Sequence, residues 1–123
     1  MKIAISQWQG CISPVFDVSD NLCLIKIEKG REVQRANIVL SSRDTFRRTK
    51  EISDLGAEVL LCGAVSHTLE TTLINAGIQV CSFICGNMED VVAAFTQGKW
   101  EDDLFLMPGF HRKEQKDRFH NSP

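Results

Sequence analysis

Residues 58 to 97 alternate between short apolar runs and amphipathic stretches. Residues 58 to 62 (EVLLC) are nearly all apolar, as a strand covered on both faces must be. Ser66 can cap a helix over residues 67 to 76, in which Leu69, Leu73 and Ala76 fall at i, i+4 and i+7 and Gly77 marks the end. Residues 78 to 84 (IQVCSFI) form a second apolar run. Asn87 then caps residues 88 to 97, where Met88, Val91, Val92 and Phe95 make one stripe. Glu89 and Asp90 sit at the positive end of that helix, and Gly98 closes it. A strand, helix, strand, helix order leaves few choices. Right-handed crossovers put the strands parallel and side by side, with helices packed over them.

The first half supplies further strands and one helix. Residues 2 to 7 (KIAISQ) are short and apolar, like a buried central strand, and residues 9 to 14 read as loop because Gly10 and Pro14 punctuate them. Residues 22 to 28 and 32 to 40 flank Lys29-Gly30-Arg31, which predicts a hairpin. Residues 44 to 55 predict a helix with Phe46, Ile52 and Leu55 on one side and Gly56 as the stop. The expected fold class is therefore α/β and ribonuclease-H-like, a five-stranded mixed sheet in the order 3-2-1-4-5 with helices on both faces. A chain of 123 residues holds one core and not two. Residues 1 to 100 form the expected domain and residues 101 to 123 a polar, mobile tail. From His111 to Pro123 that tail carries four basic residues against two acidic ones.

Composition excludes some functions. No apolar run approaches the roughly 20 residues that span a bilayer. Residues 1 to 10 hold one Lys and no long apolar core, so they do not read as an export signal, and the cytoplasm is the expected compartment. There, five cysteines are expected as thiols or metal ligands rather than disulfides. A net charge of −2 argues for neither nucleic acid nor membrane as a partner.

Ligands of open α/β sheets bind beyond the carboxyl ends of the parallel strands. Those ends carry residues 6 to 11, 62 to 67 and 85 to 87, which gathers Cys11, Cys62, Cys85 and His67 along one rim. Gly63 and Gly86 each follow a strand-end Cys, allowing a sharp turn and close approach of a ligand to the backbone. The helix start after Ser66 offers N–H groups to an anion. Thiolates select copper(I), zinc and iron–sulfur species. The expected cofactor-binding set is Cys62, Gly63, Ser66, Cys85, Gly86, Cys11 and His67, with Cys62 and Cys85 as metal ligands. The same thiols also admit a plain packing role, as small hydrophobes at strand ends, and Cys23 and Cys81 inside strands are read that way. No CxxC pair exists, which argues against a closed structural zinc site and against a dithiol redox enzyme. Two-metal nuclease chemistry needs clustered carboxylates, and residues 2 to 7 contain none. The chain is expected not to be an enzyme. A protein-interaction module is the alternative, with a basic face of Arg43, Arg47 and Lys50 (Arg48 beside it) and Trp8 and Trp100 as contact residues.

Residues 12 to 30 (ISPVFDVSDNLCLIKIEKG) and residues 58 to 99 (EVLLCGAVSHTLETTLINAGIQVCSFICGNMEDVVAAFTQGK) resemble the dinitrogenase iron–molybdenum cofactor biosynthesis family. The resemblance covers about residues 1 to 99. It implies a ribonuclease-H-like fold and a non-enzymatic carrier that holds an iron–sulfur or iron–molybdenum-type cluster at the strand-end rim, with a metallocluster assembly or acceptor protein as partner. Two positions depart from the family. Val15 stands where many cofactor-binding members carry a His, next to Phe16 and with Asp17 in place of a Gly. Phe110, in the segment at residues 106 to 110 (LMPGF), stands where a Cys is expected.

Overall fold

The computed structural model describes residues 1 to 97; the expected tail, Gly98, Trp100 and the LMPGF segment lie outside the described residues. The elements in chain order are β1 (Lys2–Trp8), β2 (Cys11–Ile12), a single 3₁₀ turn (Phe16–Val18), β3 (Asn21–Glu28), β4 (Arg31–Val39), α1 (Thr45–Asp54), β5 (Val59–Leu61), α2 (His67–Asn75), β6 (Gln79–Cys81) and α3 (Met88–Thr96). The sheet runs β4-β3-β1-β5-β6, with β1, β5 and β6 parallel and β3 and β4 antiparallel to their neighbours. This is the strand order expected above, with one strand added.

The added strand is β2, which pairs antiparallel with the end of β1 through Gln7–Ile12 and Trp8–Cys11. Gln9 and Gly10 both take positive φ (52° and 82°), as the two central residues of a type I′ turn must. Two residues between strands are enough, so the stretch read as loop folds back instead. Lys29 and Gly30 (φ 54° and 75°) turn the β3–β4 hairpin in the same way.

Alternation along β1 builds both cores. Ile3 and Ile5 face α3, packing with Ile25, Leu61 and Val91, whereas Ala4 faces α1 and α2 with Leu60, Ile52 and Leu73. Helices therefore cover both faces. Each begins on a side-chain cap: Asp44 accepts from Arg47 N–H, Ser66 from Leu69 N–H, and Asn87 from Glu89 and Asp90 N–H. No helix among the described residues is long and apolar enough to cross a membrane.

Helix α1 departs from its expected inward face. Phe46 is 73% exposed, and the buried positions are Arg48, Thr49 and Ile52. Arg48 is wholly buried. Its guanidinium donates to Ser19 O at 2.6 Å and Asp20 Oδ1 at 2.7 Å and lies 5.1 Å from the centre of the Phe16 ring. A charge this deep is tolerated because those acceptors and the ring replace most of its hydration, leaving only Nε among its nitrogens without a partner. It fastens the 3₁₀ turn to α1. Arg48 is thus no part of the basic surface read from the sequence, and Arg43 is held by Asp20 at 3.2 Å.

Candidate functional site

The parallel strands end together, and the segments that follow them stay connected. Cys62 N–H donates to Cys81 O and Ile84 N–H to Cys62 O, each at 3.0 Å, and Phe83 N–H donates to Gly63 O at 2.9 Å. Phe83 holds φ at 62°, a conformation rarely adopted by an aromatic residue. That turn ends β6 at Cys81 and brings the chain back toward the β1–β2 hairpin. Ile12 N–H donates to Gly86 O at 2.9 Å, Met88 N–H donates to Gly10 O at 2.8 Å, and Cys11 bridges to Asn87. Cys11 precedes Ile12 and Cys85 precedes Gly86, so the two thiol residues flank one interstrand hydrogen bond. Cys11 is exposed and Cys85 half-buried. Gly86, at φ 117°, holds a backbone that other residues rarely adopt.

Cys62 is placed differently. Along the strand it shares the face of Leu60, and its side chain is 0% exposed among Ala4, Phe16, Leu22 and Leu69. The loop after β2 covers it. Ala64 N–H donates to Pro14 O and Phe16 N–H donates to Ala64 O, both at 2.8 Å, which zips residues 14 to 16 onto the turn after β5. Gly63 serves this closure rather than a ligand: a Cβ there would lie 2.5 Å from Pro14 O and clash with Ser13 O. Burial, helped by Cys81, Glu70 and Asp17 nearby, pushes the Cys62 thiol well above its ordinary range. Cys62 therefore sits beneath the loop and not at the expected open rim. Cys23 and Cys81 are likewise buried in the α3-side core.

The helix start expected to take an anion has its own. Asp17 Oδ1 accepts from Ser66 N–H at 2.8 Å. A carboxylate at an α-helix N-terminus is stabilising, and here the protein supplies it. His67, the first residue of α2, is exposed beside it. The start of α3 is acidic as well, through Glu89 and Asp90. Among the described residues, no three His, Cys, Asp or Glu side chains are grouped to hold a metal ion. The seven expected site residues thus split: Cys11 lies on one and Cys85 and Gly86 on the other of two segments paired at the rim, Ser66 and His67 start α2 beside Asp17, and Cys62 and Gly63 are buried.

No family model and no curated protein matches the chain. Solved structures do match. PH0822 superposes with a TM-score of 0.74 at 22% identity, over 80% of this chain and 92% of that one. A Methanocaldococcus jannaschii protein provisionally named a dinitrogenase superposes at 0.68 with 17% identity, over 80% and 90%. The apo form of the orange protein from Desulfovibrio gigas superposes at 0.66 with 21% identity, over 80% and 88%. These likenesses are of fold.

Sequence reading missed Asp17, Ser19, Asp20 and Arg48. Only a loop that folds over the strand ends gives these residues their roles, and nothing in residue spacing announces such a loop. The placement of the thiols has a direct readout. Iodoacetamide on the native protein should alkylate Cys11 first and Cys85 more slowly, leaving Cys23, Cys62 and Cys81 unmodified until the chain unfolds. Peptide mass spectrometry over time checks the order, and native Cys62 reacting as fast as Cys11 would contradict its burial.

Proposed function

We propose that this chain is a non-enzymatic accessory or carrier protein of metallocluster assembly, and that its cargo meets the protein at Cys11 and Cys85. The single observation that supports this most is that exposed Cys11 and half-buried Cys85 flank one interstrand hydrogen bond at the rim where open α/β sheets take their ligands. Two thiols cannot close a tetrahedral site. An incomplete site suits a carrier, because the cargo keeps open positions for the assembly or acceptor protein that receives it. The names of the fold neighbours, which include proteins provisionally named a dinitrogenase and, from Thermotoga, a NifB protein, lend the reading its theme. An iron–sulfur or iron–molybdenum-type cluster is the proposed cargo, since thiolates prefer such soft metals.

A second reading is a cofactor-free interaction module with the same fold. It is favoured by Asp17, which occupies the start of α2, and by the exposed apolar side chains of Trp8, Val15 and Val18. One experiment separates the two. Protein purified anaerobically and reconstituted with iron and sulfide should turn brown and retain metal. Cys62→Ala should load as the wild type does, and Cys11→Ser with Cys85→Ser should lose most of the metal. Colourless wild-type protein without stoichiometric metal would favour the interaction module instead.

A further inference from the structure

On the β3 side of β1 a cleft of about 330 Å³ opens among Trp8, Ser13, Ser19, Asp20, Asn21 and Arg43. Its size is at the small end of the range for organic ligands. Neither Cys11 nor Cys85 lines it.

The charges at its wall do not cancel. Arg48 donates to Asp20 Oδ1 at 2.7 Å from below, and Arg43 reaches the same carboxylate with Nε at 3.4 Å and Nη2 at 3.2 Å. Two guanidinium groups thus share one carboxylate, and both carboxylate oxygens are already engaged. The Arg43 contacts are longer than the roughly 2.7–2.9 Å of a strong charge-assisted bond, and three of its five N–H donors have no role in them. Arg43 therefore has a charge and donors to offer. Trp8 adds a flat indole that is 58% exposed, a large apolar surface to leave in water. Ser13 is nearly buried in the cleft floor and Asn21 is half-buried, and their side chains can donate or accept.

We infer that this cleft binds a small organic anion bearing a planar ring, with the ring against Trp8, the negative group at Arg43, and Ser13 and Asn21 bonding its polar edges. An indole face and a guanidinium are both good partners for a flat ring, and only the guanidinium favours negative charge. Trp8 pairs with Cys11 across the β1–β2 hairpin, so the cleft borders the rim. Because neither thiol lines it, Cys11→Ser with Cys85→Ser should leave ligand binding intact while removing metal, which tells this inference from the carrier reading.

Tryptophan emission tests it. The chain has two Trp, so Trp100→Phe leaves Trp8 as the sole reporter. Two ring-bearing anions, adenosine 5′-monophosphate and 2-naphthoate, should each change Trp8 emission saturably, whereas inorganic phosphate should not. Arg43→Gln should weaken binding roughly tenfold or more, since it removes a charge-assisted contact. Arg47→Gln, also at the surface but outside the cleft, should leave binding unchanged. Calorimetry should give the same affinities, and Trp8→Ala should abolish the binding heat. Three results would overturn the inference: no response to either ring-bearing anion up to millimolar concentration, undiminished binding by Arg43→Gln, or inorganic phosphate competing as well as 2-naphthoate.

Discussion

Arg48→Met should destabilise the fold by about 1–3 kcal/mol, the cost of leaving the buried Ser19 carbonyl without its donor, since Asp20 is a third exposed and keeps Arg43. Methionine keeps most of the side-chain volume, so the loss is of charge and hydrogen bonds rather than of packing. Asp20 would keep only its longer contacts to Arg43, and the Ser19 carbonyl would lose its 2.6 Å donor. The 3₁₀ turn would lose its tie to α1. Urea unfolding should show an earlier midpoint with little change in slope. A midpoint at the wild-type value would mean that the guanidinium contributes no net stability.

The same pair sets a sign for acid sensitivity. The hydrogen bond from Arg43, then that from Arg48, holds the Asp20 carboxyl below its ordinary range against the opposing effect of burial. A carboxylate with a depressed folded-state pKa contributes stability that is present above the unfolded-state value. That contribution is lost as the pH falls through the folded-state one. Wild-type stability should therefore fall on acidification below about pH 4, and Asp20→Asn should flatten that part of the profile.

Gly63→Ala should be about as damaging, costing about 1–3 kcal/mol as an overpacked site does. The new methyl would meet backbone, with Pro14 O at 2.5 Å and Pro14 C at 2.8 Å, and a backbone cannot swing aside like a long side chain. Relief requires the loop after β2 to lift, breaking the bonds between Pro14, Phe16 and Ala64. Phe16 would rise with it and uncover Cys62. Two readouts should move together: an earlier urea midpoint, and alkylation of Cys62 under native conditions. Wild-type stability with a protected Cys62 would show that the loop yields without lifting.

Much of the architecture was legible because it follows from periodicity. Apolar runs at residues 2 to 7 and 58 to 62 demanded cover on both faces, and the stripes through Leu69–Leu73 and Val91–Val92 supplied it. The caps at Ser66 and Asn87 were legible for the same local reason. Strand β2 was not, since two residues have no period. Arg48 was not either, because a charge on a helix is ordinarily solvated, and its burial depends on acceptors nearly thirty residues away in sequence. At the rim, topology brought the strand ends together as expected. Leu60 and Cys62 share a parity, which places the Cys62 thiol on the α1 and α2 side of the sheet. What residue order did not reveal was the loop that zips over Cys62 and the Asp17 carboxylate that reaches Ser66 N–H.

Among the described residues strand β4 ends the sheet, and its nine residues lie along that margin. Such margins invite like chains to stack into fibrils. Here the register shifts by one residue at Lys26–Ile27, leaving Val33 without an opposite residue, and Arg35 is clamped by Glu32 and Glu89. A bulge bends the ribbon and fixed charges stud it, so a second strand laid alongside meets a crooked, ionic template. The margin is thereby guarded against self-templated growth.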